Sequence, residues 1–120
     1  MISFVLGKPS VWTGEVLAAQ IIWNADGDRG ARRIIVAMEW HTEGAGNRAT
    51  GVARGTTFVP EKGARQAKFP VRFLIPHEGP ISFRGELIHL RWMLRVRVDQ
   101  FGLDEIAEAE FRVEPRRRPR

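Results

Sequence analysis

The sequence predicts an all-β chain folded as a two-sheet antiparallel sandwich of immunoglobulin-like architecture. Apolar residues recur at every second position through most of the chain, which is the period of a strand with one buried face. Helical spacing is nowhere sustained for the roughly ten positions that a helix needs. The alternating runs are separated by clusters of Gly, Pro, Asn and Asp, residues that reverse a chain. About seven such runs in 120 residues match the strand count of a sandwich.

Ile2 to Leu6 is a short opening strand. Leu17, Ala19, Ile21 and Trp23 then alternate with Glu15, Ala18, Gln20 and Ile22 until Asn24-Ala-Asp-Gly-Asp turns the chain. Ile34, Val36, Met38 and Trp40 form an inward row opposite Ile35, Ala37, Glu39 and His41, ended by Glu43-Gly-Ala-Gly-Asn. Ala49 to Val59 is the next strand, with Thr50, Val52, Arg54, Thr56 and Phe58 on one side and Gly51 and Gly55 interrupting it. After the turn at Pro60-Glu-Lys-Gly, Phe69, Val71, Phe73 and Ile75 point inward and Lys68, Arg72 and Leu74 outward. Pro70 has no N–H to donate, so this strand belongs at an edge or carries a bulge.

The longest run is Glu86 to Asp99, with Ile88, Leu90, Trp92, Leu94, Val96 and Val98 on one face and His89, Arg91, Arg95 and Arg97 on the other. Ala107 to Val113 closes the domain, which is expected to span 1–113. Residues 114–120, EPRRRPR, hold two prolines and no apolar side chain and are expected to be a disordered tail. Trp40, Phe69, Phe73, Leu90, Trp92 and Leu94 are the expected core anchors. Trp12 and Trp23 lie nearer strand ends and are candidates for an exposed contact surface. Pro76, Gly79, Pro80, Ser82 and Gly85 form a structural turn: the prolines cannot donate to a ladder, the glycines permit unusual backbone angles, and the Ser82 hydroxyl can satisfy a free backbone group.

With 43% apolar and 28% charged residues the composition is that of an ordinary soluble domain. No segment approaches the ~20 apolar residues of a membrane span, and MISFVLGKPSVW has no basic region ahead of its apolar run, so no cleaved secretory signal is expected. The chain has no cysteine, which excludes disulfides, thiolate nucleophiles and cysteine-held zinc; a cytoplasmic location is expected. The net charge of +5 suggests an anionic partner. Arg116, Arg117, Arg118 and Arg120 lie in the last five residues, however, and without those four the net charge falls from +5 to about +1.

Nothing in the pattern points to catalysis. His41, His77 and His89 lack metal-ligand spacing, Glu39, Glu43 and Glu86 have no partner suited to acid-base work, and no neighbour of Ser82 completes a triad. Gly27-Asp-Arg-Gly and Gly44-Ala-Gly are hairpin turns in a β context rather than phosphate cradles. No catalytic, cofactor or metal residue is therefore nominated, and no small-molecule substrate is expected. The residues left to contact an anion or a partner are Arg72, Arg91, Arg95, Arg97 and the tail arginines 116, 117, 118 and 120. Either Glu15, Glu39, Glu108 and Glu110 on adjacent strands neutralise the arginine row, or that face binds anions.

The absence of cysteine and tyrosine excludes an antibody-type domain. The central segment instead resembles the arrestin-like family, in particular the amino-terminal sandwich of α-arrestins, of retromer-type arrestin relatives and of bacterial sporulation-control arrestin homologues. In that family a strand ending F-x-F-x-[IL]-P leads through a proline-serine turn and a glycine into a long strand [IL]-x-[WY]-x-[LV]-x-[VA]. Here those positions are Phe69, Phe73, Ile75 and Pro76, then Pro80, Ser82, Phe83 and Gly85, then Leu90, Trp92, Leu94 and Val96. Trp12-Thr-Gly-Glu-Val is similar to the family's strand entry, with one residue fewer between aromatic and glycine. Members commonly carry two such sandwiches and 120 residues hold one, so functions that need a cleft between two domains are not expected. The resemblance implies a non-enzymatic interaction or scaffold module that binds a protein partner, or its own copy, through a sheet edge or face, with Ile2 to Leu6 and Ala107 to Val113 as candidate edges. The competing expectation is electrostatic attachment to nucleic acid or an acidic membrane through the arginine tail and row.

Overall fold

A computed structural model describes residues 1–27, 29–44, 47–78, 80–84 and 89–116. Their alternation produces nine strands: β1 (Ile2–Leu6), β2 (Ser10–Trp12), β3 (Val16–Asn24), β4 (Arg33–Gly44), β5 (Asn47–Phe58), β6 (Gln66–Leu74), β7 (Phe83–Arg84), β8 (His89–Asp99) and β9 (Glu105–Glu114). Two sheets form, one ordered β1-β3-β6 and the other β2-β9-β8-β4-β5 with β7 on β8. All pairings are antiparallel except that of β2 with the end of β9. The expected sandwich is the one observed, with the short β2 and β7 added to the seven strands read from the pattern.

The period of two explains the core, because each sheet turns one row of every strand toward the other. The smaller sheet contributes rows such as Phe4, Ile21 and Phe69, which stand directly opposite one another across β1, β3 and β6. The larger sheet contributes Ile34, Val36 and Met38 from β4, Leu90, Trp92, Leu94, Val96 and Val98 from β8, and Phe111 and Val113 from β9, all buried. Phe58 stacks on Phe69 with ring centroids 4.3 Å apart. That contact joins the sheets on the β5–β6 side.

Two sequence readings are corrected. Trp40 is half-buried and packs against the margin of the core. It remains on the inward face, opposite Trp92, but takes its cover from Gly51 on the neighbouring strand, where an added Cβ would lie 2.5 Å from the indole Nε1. In β5 the register shifts between Met38 and Glu39, so Val52 pairs with Glu39 while Arg54 pairs with Met38. Ala53 is the extra residue of a bulge, and the single row from Thr50 to Phe58 is split between two faces. Of the two tryptophans near strand ends, Trp23 is wholly buried in its inward row and Trp12 is 53% exposed.

Candidate interaction surfaces

The Pro76 to Gly85 turn is a structural clasp where it is described. The Ser82 Oγ accepts a hydrogen bond from the Val113 N–H at 2.9 Å, the Ser82 N–H donates to the Val113 carbonyl at 2.8 Å, and the Pro80 carbonyl accepts from the Trp92 indole at 2.9 Å. The turn thus ties two strands of the larger sheet and gives a buried indole its partner. Pro76 follows the buried Ile75; Gly79 and Gly85 lie outside the described residues.

The arginine row of β8 lies on the outer face of the larger sheet, with acidic residues set among it. Arg95 stands opposite Glu108, with Nε 3.9 Å from its carboxylate, and Arg97 Nη1 is 3.5 Å from Asp104. Between Arg91 and Arg95 on the same face, Met93 faces Glu39 on one side and Glu110 on the other. Glu39 is 7% exposed and its Oε1 lies 3.3 Å from His41 Nε2. Arg91 lines a shallow depression of about 670 Å³ with Glu43, Ser82, His89, Glu110 and Arg112, a lining of mixed sign. Glu15 takes no part, because it sits in the β2–β3 turn. It accepts the Trp12 N–H at 2.8 Å and the Lys8 ammonium at 2.6 Å, and the Lys8 hydrogen bond, with that of Trp12, holds its carboxyl below the usual glutamate value.

Arg72 does not extend the row. β6 pairs with β3, not β8, and lies in the smaller sheet, so Arg72 projects from the other side of the sandwich. The Arg116 N–H donates to Thr13 Oγ1 at 3.2 Å, while residues 117, 118 and 120 of the tail lie outside the described residues.

The edges carry a stronger signal. β5 ends the larger sheet, pairs only with β4 among the described residues, and runs for twelve residues without proline. Residues 47–74, which include β5 and the neighbouring edge strand β6, hold Arg48, Arg54, Lys62, Arg65, Lys68 and Arg72 against Glu61, a net of +5. On the far side, residues 104–114 hold Asp104, Glu105, Glu108, Glu110 and Glu114 against Arg112, a net of −4. Without the tail arginines the body carries a net charge of about +1, yet it is divided into a basic and an acidic side. A charge count in windows of the sequence reveals the division without a structure. Of the two candidate edges, β1 does border the smaller sheet, and β9 is covered by β2 only over Arg112–Glu114.

The solved structure of the sporulation control protein Spo0M from Bacillus subtilis matches the chain at a TM-score of 0.65, covering 94% of it at 19% sequence identity. The fold is arrestin-like. The chain spans about half of Spo0M, 48% of that chain being covered. No family model and no curated protein sequence matches. At this identity the likeness speaks for the fold alone. Among the described residues, no helix is long and apolar enough to cross a membrane, and no group of three His, Asp or Glu is placed to hold a metal ion.

Proposed function

We propose that the chain is a non-catalytic interaction module that receives an extended, acidic protein segment as an added strand along β5. The observation that carries this reading is the side of β5, twelve residues long, that has no partner strand among the described residues, within a region of net charge +5. An incoming strand satisfies the free N–H and C=O groups of an edge, and alternate side chains set its specificity. The electrostatic alternative, nucleic acid or an acidic membrane held by the arginine row, has less support because Arg95 and Arg97 already face Glu108 and Asp104.

The test is amide exchange by NMR with two ten-residue probes, one alternating glutamate with threonine and one alternating lysine with threonine. The acidic peptide is expected to slow exchange of alternate amides between Gly51 and Thr57 and the basic one to leave them unchanged. Equal protection by both, or none by either, refutes the proposal. A duplex DNA oligonucleotide or phosphatidylserine vesicle that binds with a steep salt dependence, while the acidic peptide does not bind, favours the alternative.

A further inference from the structure

Resting on the strand-addition reading, we infer that the segment which β5 accepts is β9 of a second copy of this chain, so that copies join head to tail into one continuous sheet. Opposite charge is the first support. β5, which carries Arg48 and Arg54 and no acid, and the acidic β9 lie on the two sides of the β9-β8-β4-β5 stretch of one sheet, so their charges cannot meet within one molecule. Three inter-strand steps of about 4.8 Å separate the edges.

Strand direction is the second support. β9, β8, β4 and β5 are successively antiparallel, so an even number of strands lies between the two edges inclusive. Simple translation of a copy along the sheet therefore sets its β9 antiparallel to β5, with no rotation and no break in the alternation. A two-fold β5 to β5 contact would bring two basic edges together instead.

Length is the third. The parallel β2 closes β9 only from Arg112 to Glu114. Glu105 to Phe111 is left without a strand on that side among the described residues. Cross-strand rows show what a translated copy would place against it: Phe58, Ile34, Val98 and Glu105 form one row, and Gly51, Trp40, Trp92 and Phe111 another. Gly51 to Phe58 thus stands level with the free stretch of β9. The same rows set Ala109 level with the exposed Arg54, and the exposed Glu108 and Glu110 level with Gly55 and Val52 on the other face, so the attraction is between the net charges of the two edges rather than between paired side chains. Because the two patches differ, the association is heterologous and does not stop at a dimer unless a ring closes.

Sedimentation and light scattering of the full chain across concentration test this. At low ionic strength the mass-average is expected to climb past that of a dimer, and to fall to the monomer near 1 M salt, where the screening length shrinks to about 3 Å. Arg54→Glu with Lys68→Glu is one variant, and Glu108→Lys with Glu110→Lys the other. Each alone is expected to be monomeric, with unchanged far-ultraviolet circular dichroism, and an equimolar mixture is expected to regain association because each supplies the edge that the other now needs. Self-pairing is overturned by a wild-type chain that stays monomeric at low salt, by assembly that halts at a β5 to β5 dimer, or by a mixture no more associated than its parts. A monomeric wild type whose β5 amides are still protected by the acidic peptide overturns only this inference; one that does neither overturns both readings.

Discussion

The contact between Trp40 and Gly51 predicts a reversal of sign between two backgrounds. Gly51 has no positive φ, so its backbone does not require glycine. The indole requires it: a Cβ there would lie 2.5 Å from Trp40 Cζ2 and Nε1, far inside van der Waals contact, and the ring would have to leave the face of β5. In a strand, alanine is worth roughly 0.5–1 kcal/mol over glycine, and overpacking costs roughly 1–3 kcal/mol, so Gly51→Ala should destabilise by about 1–2 kcal/mol. For a domain of this size that lowers Tm by about 4–10 °C. In a Trp40→Ala background, itself about 2 kcal/mol less stable because the indole is only half-buried, the same substitution should stabilise by about 0.5 kcal/mol. Urea unfolding followed by circular dichroism measures the four corners of the cycle, with an expected coupling of about 2 kcal/mol. If Gly51→Ala has the same sign and size in both backgrounds, the ring does not hold Gly51 and the account of the β5 bulge region fails.

Ser82→Ala removes the acceptor of the Val113 N–H and should cost about 1–2 kcal/mol in urea unfolding, whereas Ser82→Thr, which keeps the hydroxyl, should cost less. Trp92→Phe loses the hydrogen bond to the Pro80 carbonyl together with buried ring volume, and should cost about 2–4 kcal/mol by thermal unfolding. Gly14 has φ +81° and an added Cβ would meet the His77 ring 2.5 Å from Nδ1; Gly14→Ala should lower Tm, and His77→Ala should restore only part of the loss, since about 1 kcal/mol of backbone strain stays behind. Asp99 is held below its ordinary value of 3.8 by hydrogen bonds from Arg32 and from the Phe101 N–H. Its folded carboxyl binds a proton less readily than the unfolded one, so its contribution is whole above the unfolded value and is lost as pH falls through the folded one. Asp99→Asn should flatten the acid limb of stability measured from pH 5 to pH 2, and an unchanged limb would assign that limb to other carboxylates.

The strands and their inward rows were legible because burial on one face imposes a strict period of two, and few sequences imitate it by chance. Leu17 to Trp23 and Leu90 to Val98 show this well. What a period cannot convey is partnership. Arg72 and Arg95 read alike as outward residues on consecutive long strands, yet β6 and β8 belong to different sheets; alternation gives the face of a residue and leaves its neighbour to the topology. The bulge at Ala53 was hidden for a related reason. One extra residue inverts every face beyond it, and the local signs were two glycines, Gly51 and Gly55; the lost side chain of Gly51 makes sense once Trp40 is seen lying over it.

Charge failed in a third way. The tail drew the eye because four arginines stand together there, while six basic residues between Arg48 and Arg72 are spread over 25 positions and look unremarkable in one dimension. Folding gathers them: β5 and β6 meet through Phe58 and Phe69 on one side of the sandwich, and β9 takes its five neighbouring acids to the other. In a sheet protein, a charge pattern that matters for association is set by which strands become edges. The residues that mark a partner are therefore to be sought first on β5, which pairs only with β4 among the described residues, and on the stretch of β9 that β2 leaves open, and the arginine row in the middle of the sheet, though more conspicuous in the sequence, already has its counter-charges beside it.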